Sequence, residues 1–157
     1  MNAPAELNIK KGHISSIFKI DNNYFFADDN QQVFLLDTKT FTADEISFVA
    51  EDKDLLNFKT SFSQLFWQTG MNNPIIVRAN KAWLLNYTDK RITAKLISNI
   101  IPTDANISTV EYAMQNNLLF IGTESKGIII ISKNLVEPKK RRNANPKNKT
   151  LIFRRCY

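Results

Sequence analysis

Three Asn-Asn pairs, Asn22-Asn23, Asn72-Asn73 and Asn116-Asn117, each stand directly before an apolar run, and this repetition constrains the fold more than any other feature of the chain. The runs are Tyr24-Phe25-Phe26-Ala27, Ile75-Ile76-Val77 and Leu118-Leu119-Phe120-Ile121. Asn tolerates φ > 0 and suits the tight turn that opens a hairpin. A short polar gap follows each run, and then a second run: Val33-Phe34-Leu35-Leu36, Trp83-Leu84-Leu85 and Ile128-Ile129-Ile130-Ile131. The unit recurs after 50 residues and then after about 45. That period fits a unit of four strands.

Ordered secondary matches support the period. Ile14-Ser15-Ser16-Ile17 opens the first unit as Ile107-Ser108-Thr109-Val110 opens the third. Leu35-Leu36-Asp37 leads to Thr42-Ala43 and Ile46-Ser47, as Leu84-Leu85-Asn86 leads to Thr93-Ala94 and Ile97-Ser98. The predicted strands are 14–20, 24–28, 32–37 and 43–50; then 60–67, 75–79, 82–87 and 92–98; then 107–113, 118–123 and 127–133, with a fourth strand of the third unit left open. β-Branched and aromatic residues dominate the runs, against helix. Their continuous apolarity predicts burial on both faces, as in a sheet sandwiched between neighbours. The segment from Asp52 to Phe62 is a candidate for a helical turn. The expected fold is all-β, an incomplete β-propeller of about three four-stranded antiparallel blades at 14–50, 57–98 and 107–137.

The third unit reads Asn117-Leu118-Leu119-Phe120-Ile121-Gly122-Thr123-Glu124-Ser125-Lys126-Gly127-Ile128. It resembles the two-component regulator propeller repeat, in which a turn, Leu-Trp-Ile-Gly-Thr, a polar gap and Gly-Leu follow one another. Gly122-Thr123 and Gly127 match its small residues, whereas Phe120 stands where that repeat has Trp. The first unit has Ala27-Asp28-Asp29 and the second Val77-Arg78-Ala79 at the Ile-Gly-Thr position. A Gly without Cβ lets crowded strands approach, and a Gly after a polar gap suits a turn. The resemblance implies a periplasmic sensor propeller within a membrane-bound parent, whose output is a histidine kinase or DNA-binding module. It further implies a carbohydrate ligand.

Three blades do not close a ring, since propellers have about four to eight. Both end blades are then expected to expose apolar faces, and the remaining blades of the parent are the expected partners. On this reading residues 1–137 are a partial propeller, and 138–157 a basic polar tail, truncated or frameshifted, in which Leu151-Ile152-Phe153 begins one more strand.

Composition narrows the function. Hydrophobic residues make up 43% and charged residues 23%, as in a soluble globular domain rather than a disordered chain. The net charge of +6 is not spread evenly. Thirteen basic against fifteen acidic residues leave 1–137 at −2, and the other eight basic residues fall between Lys139 and Arg155. The body therefore lacks the basic face that a nucleic-acid backbone requires. Cys156, the only cysteine, rules out an internal disulfide. No run approaches the ~18 apolar residues of a membrane span, and Met1-Asn2-Ala3-Pro4-Ala5-Glu6 is not a signal peptide.

Candidate chemistry is sparse. Lys139-Lys140-Arg141-Arg142 reads as a solvated loop rather than a nucleic-acid arm, and Trp67 and Trp83 read as packing rather than as sugar-stacking platforms. His13, the only histidine, has no nucleophile or orienting partner nearby in sequence and cannot make a zinc site unaided. Asp28-Asp29 and Asp52-Lys53-Asp54 lack calcium-loop spacing and read as turns. Asn86-Tyr87-Thr88, Asn106-Ile107-Ser108 and Asn148-Lys149-Thr150 match the glycosylation pattern, a frequent chance match in an Asn-rich chain. Strand-borne acids are few, Asp28, Asp37 and Glu111 among them, whereas a glycosidase needs two carboxylates facing across a funnel. The expected function is thus a non-catalytic sensor or ligand-binding propeller segment, with no catalytic, cofactor or metal residues assigned. The alternatives are an interaction scaffold of WD-repeat type, disfavoured because Trp-Asp is absent, and a propeller glycoside hydrolase segment.

Overall fold

The computed structural model describes residues 13–29, 32–50, 55, 63–68, 70–132 and 149–153. The fold is all-β. Leu55, the one described residue of the predicted helical turn, is helical and buried. The first four strands are β1 (Ile14–Ile20), β2 (Asn23–Asp28), β3 (Val33–Asp37) and β4 (Thr42–Ala50), each antiparallel to the next. Strands β5 (Ser63–Phe66), β6 (Ile75–Arg78), β7 (Lys81–Thr88) and β8 (Arg91–Ser98) form a second antiparallel meander. Strands β9 (Ile107–Ala113), β10 (Leu118–Thr123), β11 (Gly127–Ser132) and β12 (Lys149–Phe153) form a third. Leu151-Ile152-Phe153, read from sequence as the start of a strand, lies in β12.

The turns follow local chemistry. Asp89 (φ 49°) and Lys90 (φ 57°) make the two-residue β7–β8 turn with both residues left-handed, the arrangement whose twist matches paired strands. Gly127 (φ 75°) opens β11 after the three-residue loop 124–126, where Thr123 Oγ1 donates to the Gly127 carbonyl and accepts from the Lys126 N–H, both at 2.9 Å. The Asn-Asn pairs do occupy the turns that open the second strand of each meander, but not in one way. In the third turn Asn117 is left-handed (φ 52°); in the first, Asp21 (φ 51°) takes that role; in the second, Gly70 (φ 99°) does.

The first two meanders, expected as separate units, are joined into one curled eight-stranded sheet of order β1-β2-β3-β4-β8-β7-β6-β5. The reason lies in β4, which outruns its neighbour. Thr42 to Ile46 pair with β3, while Ser47 to Ala50 pair in parallel with Arg91 to Ala94 of β8. Unpaired backbone groups at an edge are costly when buried, and the overhang satisfies them on the next meander. The sheet curls until β1 comes up against β7, whereas β12-β11-β10-β9 remain a separate sheet.

The registers relate the three meanders. Lining up the hairpins β2–β3, β6–β7 and β10–β11 makes Phe25, Ile75 and Phe120 equivalent, with cross-strand partners Leu35, Leu84 and Ile130. Their neighbours Phe26, Ile76 and Ile121, paired with Phe34, Trp83 and Ile129, form the opposite face. The third meander is thereby set one residue away from the alignment that its Asn-Asn pair gives, because the loops entering β6 and β10 differ in length. Two cores result. In one, Phe25 and Leu35 of the first meander pack with Ile76, Trp83 and Leu85 of the second. In the other, Ile75 and Leu84 of the second pack with Ile121, Ile129 and Ile131 of the third. Each contact therefore joins the same face of one meander to the opposite face of the next. The middle meander is buried on both sides, which is why its runs do not alternate in polarity.

Candidate functional site

The loops entering the second strand of each meander gather at one end of the sheets. The backbone N–H of Asp21, in the first loop, donates to the Asn72 carbonyl of the second at 2.8 Å. Beside this bridge an open cleft of about 330 Å³ lies between the β5–β6 loop and β9. Gln68, Asn72 and Asn73 line it from the loop, Glu111, Tyr112 and Met114 from β9 and the turn after it.

Several of these groups are held in place. The Asn73 side-chain amide donates to the Leu85 carbonyl at 2.8 Å and to Asn86 Oδ1 at 3.2 Å, so the loop is pinned to β7. The Tyr112 hydroxyl donates to Asn117 Oδ1 at 2.9 Å, and burial pushes its pKa above the ordinary tyrosine value. Gln68 Nε2 donates to Thr109 Oγ1, tying the loop to β9. Glu111 is exposed and is the only acid among the described lining residues. Amides, one phenol and one carboxylate beside the Met71 and Met114 side chains suit a small polar ligand held by hydrogen bonds.

The other singled-out residues lie elsewhere. Trp83 is 1% exposed in the first core and Trp67 packs against that core, so both serve packing. Neither indole N–H has a partner among the described residues. Asp28 is buried and closes the β2–β3 hairpin: its Oδ1 accepts from the Gln32 N–H at 2.9 Å, and its own N–H donates to the Gln32 carbonyl at 3.1 Å. Asp37 sits exposed at the β3–β4 turn, where its Oδ1 accepts from the Lys39 N–H at 2.8 Å and the Thr40 N–H at 3.3 Å. Those two backbone donors hold its pKa below the ordinary carboxylate value, the Lys39 N–H foremost. His13 is exposed and takes part through its backbone carbonyl, which accepts from the Asp29 N–H at 3.0 Å. Asn106, of the second glycosylation pattern, is exposed and donates to Glu124 Oε2 at 3.1 Å. Asp52, Asp54, Lys139 to Arg142, Asn148 and Cys156 lie outside the described residues.

Sequence reading missed Gln68, Asn73 and Tyr112 as lining residues, because nothing local marks them. Only the packing of the second meander on the third brings a loop and a strand some forty residues apart together. Among the described residues no three His, Cys, Asp or Glu side chains gather as a metal site, and no helix is long and apolar enough to cross a membrane. No family model matches the sequence, and no curated protein or solved structure matches the chain.

Proposed function

We propose that the chain is a non-catalytic, ligand-binding segment of a β-propeller of the kind that serves as the sensor of two-component signalling proteins, with its ligand taken at the cleft between the second and third meanders. The observation that carries the propeller reading is the face order. Phe25/Leu35 against Ile76/Trp83, then Ile75/Leu84 against Ile121/Ile129, is one operation applied twice, which is how blades succeed each other round an axis. The parallel β4–β8 pairing agrees with it, since a rotation carries each strand onto an equivalent running the same way. Each meander is then a four-stranded blade.

The sensor reading rests on the resemblance of Leu118 to Ile128 to the two-component repeat, and with it the periplasmic placement and the signalling output of a membrane-bound parent. A carbohydrate suits the cleft, where Asn and Gln amides, the Tyr112 phenol and the Glu111 carboxylate can exchange hydrogen bonds with hydroxyls. A glycosidase would need a second carboxylate across from Glu111, and none lines the cleft among the described residues. The test is calorimetric titration of the chain with soluble disaccharides, repeated with Tyr112→Phe and Glu111→Gln. Binding that weakens several-fold in both variants, with no sugar released, supports the reading. Glycan hydrolysis, or binding indifferent to both changes, overturns it.

A further inference from the structure

The hydrogen-bonding capacity of the cleft between the second and third meanders is lopsided once its internal bonds are counted. Asn73 has two amide hydrogens, and it gives them to the Leu85 carbonyl and to Asn86 Oδ1. Tyr112 has one hydroxyl hydrogen, which goes to Asn117 Oδ1. Gln68 commits Nε2 to Thr109 Oγ1. What Asn73 and Tyr112 hold for a ligand is therefore oxygen, which accepts. Glu111 adds a carboxylate, which only accepts. The side-chain donors of the described lining that are not committed to a described residue are the Asn72 amide and one hydrogen of Gln68.

Charge points the same way. Glu111 is exposed, and no hydrogen bond or ion pair with another described residue occupies its carboxylate. No Lys, Arg or His stands among the described lining residues, so the one full charge of that lining is negative. A carboxylate, sulfate or phosphate on a ligand would bring further acceptors and a like charge. A protonated amine brings the opposite: three N–H donors, no acceptor and a positive charge. Met71, Leu84 and Met114 line the same cleft and suit the C–H face of a sugar ring.

We propose that the cleft takes an amino sugar through its free ammonium group, with Glu111 as the residue that sets this specificity. The ammonium donates to the Glu111 carboxylate, while ring hydroxyls donate to the oxygens of Asn73 and Tyr112. An N-acetylated sugar offers one N–H, a carbonyl acceptor and no charge at the same place, and is the weaker ligand. A sugar bearing a carboxylate is weaker still, because its charge faces Glu111. This inference rests on the reading of the cleft as a carbohydrate site.

The experiment is calorimetric titration of the intact chain at low ionic strength, in a mildly acidic buffer where the sugar amine is protonated. The probes are a glucosamine disaccharide, its N-acetylated counterpart and a disaccharide containing glucuronic acid. Because the carboxylate is exposed, its ion pair with the amine is screened, and the expected advantage over the acetylated sugar is about threefold to tenfold. Glu111→Gln keeps the shape and removes the charge, and should bring that advantage below about twofold. Glu111→Lys should make the glucuronic disaccharide the tightest of the three. Asp44→Asn removes an exposed acid from β4, in the first meander, and should leave the advantage intact. Circular dichroism on each variant checks that the strands persist. A glucosamine disaccharide that binds no better than its acetylated counterpart overturns the inference. So does an advantage that survives Glu111→Gln, or one that falls as far in Asp44→Asn. In those cases binding that still weakens in Tyr112→Phe keeps the carbohydrate reading of the cleft in place. If none of the three sugars binds the folded chain, that reading fails, and this inference with it.

Discussion

Gly122 is the position where the packing leaves least room. A Cβ built there would lie 2.5 Å from Thr109 Cγ2, on the adjacent strand and directly in register. Carbon atoms sit comfortably at about 3.5–4.0 Å, so Gly122→Ala demands a displacement of about 1 Å between β10 and β9. Thr109 cannot simply rotate away, because its β-branched side chain is stiff at χ1 and its Oγ1 accepts from Gln68 Nε2. Overpacking of this kind costs about 1–3 kcal/mol. In a chain of this size that is a fall in Tm of about 2–12 °C. The cost should disappear when the obstructing methyl does. Thr109→Ser keeps the hydroxyl for Gln68 and removes Cγ2, after which the nearest atom to the new Cβ is Ser108 Oγ at 3.4 Å. Thermal and urea unfolding of the two single variants and the double variant make a cycle, with a predicted coupling of about 1 kcal/mol or more in favour of the double variant. If Gly122→Ala costs the same in the Thr109→Ser background, the clash is not the reason for glycine at this position.

Other expectations follow from single sites. Because the folded pKa of Asp37 lies below its ordinary value of 3.8, the carboxylate contributes stability above that pH and loses it as pH falls through the folded pKa; Asp37→Ala should melt below wild type at neutral pH, and the gap should narrow in scans taken below pH 3.8. Trp83→Ala should cost about 3–5 kcal/mol in urea unfolding, whereas Trp83→Phe should cost far less, because it also removes a buried N–H that has no partner among the described residues. Phe41 is 54% exposed and left-handed at φ 55°, a conformation that disfavours a bulky side chain by about 1–2 kcal/mol. Phe41→Asn should therefore raise the Tm by a few degrees, and a lower Tm would mean that the ring makes a contact worth more than the strain.

Much of the fold was legible because strands and turns write themselves locally. The apolar runs at 75–77 and 83–85 announced burial on both faces, and the structure places them between two cores. Gly122 and Gly127 were readable as a crowded strand and a turn for the reasons now seen in the Thr109 contact and in the positive φ. What could not be read was how the units meet. The overhang of β4 looks in sequence like any strand of nine residues, and its change of partner at Ser47 depends on where β8 lies. The cleft is hidden for the same reason: Asn73 resembled a turn residue and Tyr112 a strand aromatic, and only the packing of the second meander on the third makes them neighbours. Asp28 shows the reverse case, a residue whose burial the sequence did not announce but whose turn role it did.

Sharing β4 between two meanders has a mechanical consequence. Peeling β8 away also strips the second half of β4, so the first eight strands should open together, their slowest amides exchanging with a common free energy. Among the described residues no backbone ladder crosses to the last four strands, which meet the second meander through the side chains of the second core. The boundary between the two sheets is thus a seam along which opening is expected first. The cleft straddles that seam, with Gln68 and Asn73 on one bank and Glu111 and Tyr112 on the other. A ligand that bridges the banks would act as a latch, and its occupancy would be felt as resistance to opening at every residue of the third meander.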